Sequence, residues 1–261
     1  MLKKRIITIL IGIPFILAIL YIGGICWTLF FTVLGLGSLY EFNRMTKKSY
    51  QPPLFIGVIL FLITMFYMYN YYLLLTIVLF IVGLVIYLIA RFPRETIIDI
   101  SLILFPALYI GISLSFAILI NNQPDGFVLM LAVFLLTWSS DVGGYIFGKK
   151  WGKRKLAPAL SPNKTWEGSL GGVILTIITA FVFLSICDLG NYSLYSIILL
   201  GFAASIAAQL GDLLMSGVKR VFDVEDSGNI IPGHGGILDR FDSFLLVLPV
   251  VYCFLYYGQF L

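Results

Sequence analysis

Apolar runs about as long as a bilayer is thick recur nine times in this chain, and that recurrence constrains the fold more than any other feature. They fall near residues 6–23, 25–42, 54–70, 72–90, 97–120, 127–147, 168–187, 194–214 and 243–260. Each is close to the ~20 residues that cross a hydrocarbon core roughly 30 Å thick. The mean hydropathy of +1.02 and the 11% share of charged residues exclude an ordinary soluble domain. The expected fold is all-α: a polytopic integral membrane bundle of about nine transmembrane helices. The opening "MLKKRIITILIGIPFILAILYIGG" has the basic start and apolar run of a signal peptide. It lacks a clear small-residue cleavage site, however, and a second apolar run follows at once, so it reads as a retained first span.

Nine spans place alternate connecting segments on opposite sides. All 17 basic residues then fall on one side: Lys3, Lys4, Arg5, Arg44, Lys47, Lys48, Arg91, Arg94, Lys149, Lys150, Lys153, Arg154, Lys155, Lys164, Lys219, Arg220 and Arg240. The opposite loops, "NYY" at 70–72, "NNQPDG" at 121–126 and "DLGNY" at 188–192, carry none. By the positive-inside rule the basic side, with the N-terminus, is cytoplasmic. The net charge of +4 is thus a topology signal, and no nucleic-acid partner is expected. Cys26, Cys187 and Cys253 are scattered in apolar segments without a C-x-x-C pair, as expected of core or lipid-facing thiols.

No fixed-period repeat or low-complexity linker divides the chain, so a single integral domain over 1–261 is expected. Residues 1–120 read as scaffold spans and 121–261 as the part carrying the site. In the first part, Glu41, Glu95 and Asp99 lie near Arg or Lys at span ends, and local ion pairing accounts for them.

From residue 137 the chemistry changes. Thr137, Asp141, Tyr145 and Lys149 recur at steps of four, which puts them on one helix face. An acid within a span costs roughly 2.5–3.5 kcal/mol on insertion scales. Gly143 and Gly144 beside it point to close approach of a backbone or a ligand. In "SPNKTWEG", Ser161 is placed to cap a helix beginning at Pro162. Lys164 would then stand in the first turn, in a geometry that suits a phosphate, and Glu167 would complement the helix dipole. Ser205, Gln209, Asp212, Ser216 and Lys219 step by four, three, four and three, a polar stripe on an otherwise apolar span. Such a stripe is either interhelical glue or part of a site, and the two charges favour a site. In "IIPGHGGILDRFDS", residues 230–243, Asp239 and Asp242 are three apart at the start of the last span. With Asp212 they offer hard oxygen ligands suited to Mg²⁺ or Mn²⁺. Gly233, Gly235 and Gly236 allow close backbone approach and an anion nest. Carboxylates for a metal, basic side chains and glycine-rich backbone together are what phosphoryl or nucleotidyl transfer requires. Intramembrane aspartates also serve ion-coupled transporters, so spacing alone leaves that class open.

Residues 216–243, "SGVKRVFDVEDSGNIIPGHGGILDRFDS", closely resemble the signature of the phosphatidate cytidylyltransferases (CDP-diacylglycerol synthases). The matching positions are Ser216, Lys219, Arg220, Asp226, Pro232, His234, Gly235, Gly236, Asp239, Arg240 and Asp242. "DVGGYIFGKKWG", "SPNKTWEG" and the distribution of spans are similar too, so the resemblance covers the whole chain. It implies transfer of a cytidylyl group from CTP to phosphatidic acid, giving CDP-diacylglycerol and pyrophosphate, at the cytoplasmic face of the cell membrane and with Mg²⁺, with room for a second cation. It further implies Asp212 and Asp239 as metal ligands, with Asp242 and Asp141 in support. Lys164, Lys219, Arg220 and Arg240 would neutralise phosphate charge. Ser161, Asn163, Lys164, Ser216, His234, Gly235 and Gly236 would contact substrate. Membrane lipids surround the protein, and a homodimer is the expected assembly. A CTP-dependent polyprenol or phytol kinase shares the metal and nucleotide logic but not the full His-Gly-Gly signature. One position departs from the pattern: Glu225 stands where the family has a lysine before Asp226, which makes that lysine dispensable if the activity is intact.

Overall fold

The computed structural model describes residues 2–46, 50, 52–67, 70–187, 192–231, 233 and 235–257. Nine helices account for most of them. They are α1 (Leu2–Ile22), α2 (Gly24–Thr46), α3 (Leu54–Tyr67), α4 (Leu73–Arg91), α5 (Ile97–Asn121), α6 (Gly126–Trp151), α7 (Trp166–Cys187), α8 (Leu194–Val221) and α9 (Leu238–Tyr257). Each coincides with one apolar run. Between α6 and α7 lies a two-stranded antiparallel hairpin, β1 (Lys155–Ala157) and β2 (Ser161–Thr165). Six helices, α2 and α4 to α8, are long and apolar enough to cross a membrane; α3 and residues 10–22 of α1 are shorter apolar helices. The protein is therefore a multi-pass membrane protein.

Local chemistry sets the helix ends. The break between α1 and α2 comes at Gly23 and Gly24, whose φ of 67° and 54° is left-handed backbone that favours glycine. At the start of α5, Thr96 and Asp99 exchange hydrogen bonds in a reciprocal cap: the Thr96 N–H donates to Asp99 Oδ2 at 2.9 Å and the Asp99 N–H to Thr96 Oγ1 at 3.4 Å. Glu95 forms an ion pair with Arg91 at 3.1 Å and accepts the Tyr87 hydroxyl at 2.6 Å. Local partners therefore do account for Glu95 and Asp99. They do not account for Glu41, whose bonds are described below.

The expected helix start at Ser161–Pro162 is overturned. Residues 161–165 form β2, and α7 begins at Trp166. Pro162 is exposed in this short two-stranded hairpin, a place where a missing N–H costs little. The capping oxygen belongs to Thr165, whose Oγ1 accepts the Gly168 N–H at 3.2 Å. Glu167 accepts the backbone N–H groups of Lys153 (3.0 Å) and Arg154 (3.2 Å), tying the chain after α6 to the start of α7.

The described chain groups into two compact units. The first comprises residues 1–119 and 222–239, the second 120–221 and 240–261. Most of the signature loop, residues 222–239, groups with the N-terminal helices. Within the first unit, Trp27, Phe31, Leu39 and Phe61 are almost fully buried, and the Trp27 indole donates to the Ala117 carbonyl at 3.0 Å. Helix α4 has no buried residue. A 19-residue helix of such apolarity facing outward throughout is what lipid contact requires.

The second unit is built on close helix contact. A Cβ placed on Gly143 of α6 would lie 2.5 Å from the Gly171 carbonyl oxygen of α7. Gly143 thus serves a backbone approach and not a ligand, as small-residue contacts do between membrane helices. Helix α8 joins through polar pairs. Ser140 and Ser205 hydroxyls meet at 2.9 Å, and Gln209 Nε2 donates to the Ser169 carbonyl at 3.2 Å and to Ser205 Oγ at 3.1 Å. The Phe134 and Phe244 rings stack at 4.6 Å, seating α9 on α6.

Candidate functional site

The polar stripe of α8 divides by role. Ser205 and Gln209 are interhelical glue, spent on α6 and α7 as just described. One turn on, the stripe becomes ionic. Lys164 Nζ of β2 pairs with Asp212 Oδ2 at 2.5 Å, and Ser216 Oγ donates to Asp212 Oδ1 at 3.4 Å. The strand geometry that replaced the expected helix start is what carries Lys164 to this carboxylate.

Two further acids stand in the electrostatic neighbourhood of Asp212. Asp141 of α6 interacts with Asp212, Lys164 and Arg240. Asp242 of α9, 8% exposed, interacts with Asp212, Asp141 and Lys219, and its Oδ1 accepts the Ser243 N–H at 2.7 Å. The second unit therefore gathers Asp141, Asp212 and Asp242 with Lys164, Lys219 and Arg240. Mutually repelling carboxylates held among cations make an arrangement that a polyanion and a cation together can complete. Arg220 is turned to another task as well, since its Nε donates to the Leu160 carbonyl of the hairpin at 3.3 Å. Ser161 and Asn163 lie on β2 with Lys164.

Among the described residues, no three Asp, Glu, His or Cys side chains are arranged to hold a metal ion by themselves. Mg²⁺ arriving with a nucleotide does not need such a cage, because one or two carboxylates, waters and phosphate oxygens suffice. Asp212, with Asp141 and Asp242 beside it, supplies hard oxygen donors of that kind, so the donor set fits Mg²⁺.

The signature loop of the first unit is organised differently. Asp239 Oδ2 accepts the Ser227 N–H (2.8 Å), the Ser227 hydroxyl (2.9 Å) and the Gly236 N–H (3.1 Å). The Ile237 and Leu238 N–H groups, at the start of α9, each donate to Glu41 at 3.0 Å. These bonds correct the expectation of an anion nest at Gly236. Its amide, like the next two, is taken by the protein's own carboxylates, because a loop folded tightly on two acids satisfies its donors internally. Gly233 and Gly235 take left-handed backbone, with φ of 80° and 84°. His234 and Pro232 lie outside the described residues. Sequence reasoning placed Glu41 at a span end and gave it to local ion pairing; its partners are instead the Ser227 hydroxyl and the Ile237 and Leu238 amides.

The chain matches the profile of the Cytidylyltransferase family over residues 3–258. It is 39% identical over 256 residues to a phosphatidate cytidylyltransferase of Staphylococcus haemolyticus, covering 95% of this chain and 97% of that protein. It is 37% identical over 261 residues to the phosphatidate cytidylyltransferase of Bacillus subtilis, covering 96% of each. A third relative of the same name, from Staphylococcus saprophyticus, is 37% identical over 255 residues, 95% of this chain and 97% of that protein. With similarity running nearly end to end, the chain belongs to the cytidylyltransferase family.

Proposed function

We propose that the protein transfers the cytidylyl group of CTP to phosphatidic acid, forming CDP-diacylglycerol and pyrophosphate. The observation that carries this is the Lys164–Asp212 pair flanked by Asp141, Asp242, Lys219 and Arg240. The phosphatidate phosphate is already an anionic nucleophile, so the site needs no base. An oxygen of that phosphate bonds to the α-phosphorus of CTP. The bond from that phosphorus to the bridging oxygen breaks, and pyrophosphate leaves with the electron pair. Mg²⁺, when bound, withdraws charge from the nucleotide phosphates.

The side chains do the positioning. Lys164 exchanges the Asp212 carboxylate for a phosphate oxygen, which frees Asp212 for the cation. Lys219 and Arg240 offset the charge of two phosphate groups brought together, and Asp141 and Asp242 would hold the cation's waters. The signature gives Asp239 a metal-binding role as well, beside the three donors that its Oδ2 accepts. Arg220 neutralises the departing pyrophosphate with its guanidinium Nη groups. Nine spans, a cytoplasmic basic side in the cell membrane and a homodimer complete the proposal. One substrate never leaves the bilayer and the other is dissolved in the cytoplasm, so only the membrane edge serves both.

The test is pyrophosphate release by the full-length protein in detergent, with phosphatidic acid and CTP each omitted in turn. Release requiring both, with label from α-³²P-CTP entering lipid, is the expected result. Label entering lipid only from the γ position would move the assignment to a lipid kinase.

A further inference from the structure

Glu41 is a charged side chain only 1% exposed, on a helix of the first unit that the proposed chemistry does not use. Leaving a carboxylate away from water is costly unless its oxygens are satisfied. Among the described residues, one segment satisfies them. Oε1 accepts the Ile237 N–H, and Oε2 accepts the Leu238 N–H at 3.0 Å and the Ser227 hydroxyl at 3.1 Å. Those donors are 186 to 197 residues away in sequence. The carboxylate also sits at the N-terminus of α9, where a negative charge is favoured by the helix dipole.

The loop is shaped to receive it. A Cβ on Gly228 would lie 2.5 Å from Glu41 Oε1, and one on Gly236 would lie 2.5 Å from Glu41 Oε2. Any side chain at either position displaces the carboxylate. Ser227 links the two acids of the loop, because the hydroxyl that reaches Glu41 also reaches Asp239 Oδ2 at 2.9 Å. One hydroxyl carries one proton, so the position of Glu41 bears directly on how Asp239 is held.

We infer that Glu41 is a positioning residue of the enzyme: from α2 it clamps the signature loop through the 237 and 238 amides and sets Asp239 through Ser227. This rests on the proposed cytidylyl transfer for its consequence, but the clamp itself is a separate, measurable property. A loop whose other face is open to solvent, with Asp226, Asn229 and Gly233 exposed, needs such a fixing to present reactive groups at constant geometry. Misplacement by about 1 Å can cost on the order of 100-fold in rate.

The test uses full-length Glu41→Gln in detergent. Glutamine sets an NH₂ against a backbone N–H donor, so the clamp opens with little change in volume. Expected are faster hydrogen exchange at the 227–238 amides, unchanged exchange in α6 to α8, and kcat lowered about tenfold or more at saturating CTP in protein that still melts cooperatively. Wild-type kcat in spite of the faster exchange, or unchanged exchange, overturns the inference. If Glu41→Gln does not fold, Ser227→Ala decides by the same two readouts. That variant removes only the hydroxyl between the two acids, and a wild-type kcat would overturn the inference equally. A wild-type protein that makes no nucleotidylated lipid would instead sink the proposed function, while the exchange result at 237 and 238 would still report on the clamp.

Discussion

Two sets of carboxylates sit in this apolar protein, and they are treated in opposite ways. In the first unit, Glu41 and Asp239 accept the Ser227 N–H and hydroxyl and the Gly236, Ile237 and Leu238 N–H groups. In the second unit, Asp141, Asp212 and Asp242 are within electrostatic reach of one another and of Lys164, Lys219 and Arg240. There Lys164 meets Asp212 in an ion pair. Backbone donors cannot leave, so Glu41, with the Ile237 and Leu238 amides on its two oxygens, is architecture. A lysine on a strand can exchange one anion for another, so a carboxylate that it satisfies can be released. The same residue type thus serves the frame at Glu41 and the reacting surface at Asp212.

The largest predicted effect breaks that comparison at its reactive side. Asp212→Asn keeps the shape of the side chain and removes the charge that Lys164 and the cation share. Pyrophosphate release should fall by at least about 100-fold, ~2.7 kcal/mol of barrier, with the melting temperature nearly unchanged. A similar loss should follow chelation of divalent ions from the wild-type protein, restored by added Mg²⁺. If Asp212→Asn instead left activity intact and lowered the melting temperature, Asp212 would join the architectural set and the contrast would collapse.

A middle-sized effect separates packing from chemistry within the second unit. Gly143→Ala puts a methyl 2.5 Å from the Gly171 carbonyl oxygen, and neither backbone can yield cheaply. Overpacking of this kind costs about 1–3 kcal/mol, read as a lower melting temperature in detergent. Activity per folded molecule should change far less than for Asp212→Asn, because no charge is altered. A loss of activity as deep as that of Asp212→Asn, at an unchanged melting temperature, would mean that the α6–α7 contact is part of the reacting geometry.

Helix positions were legible in the sequence because apolar length and flanking charge are local signals. The glycine break at 23–24 follows from them almost residue by residue, whereas α9 begins at Leu238, ahead of the apolar run at 243–260. The hairpin at 155–165 was not legible, since Ser161-Pro162 carries the same local signature as a helix start and only strand pairing decides otherwise. The Asp212 stripe was visible as a period, but its division into glue and charge depends on which helix faces each turn. Glu41 was hidden for a different reason. Its partners among the described residues lie beyond residue 226, and nothing in the vicinity of residue 41 encodes that distance. Local chemistry announces itself in a sequence, whereas a long-range clamp is visible only once the chain has folded.

The smallest predicted effect concerns Glu225, the one position where the chain carries a charge opposite to the signature's lysine. Glu225 is exposed and follows the left-handed turn at Asp223, φ 51°. It belongs to the first unit, where the loop is held by Glu41 and Asp239 and not by this side chain. An exposed charge is screened by salt and contributes little to a site it does not touch. Glu225→Lys should therefore change kcat/KM by less than tenfold, under ~1.4 kcal/mol, measured as pyrophosphate release across a range of CTP concentrations. A large gain, approaching rescue of an otherwise weak enzyme, would mean that the lysine supplies charge to the phosphates and that position 225 takes part in the chemistry. In that case the division between a framing region and a reacting one would have to move, with residue 225 on the reacting side.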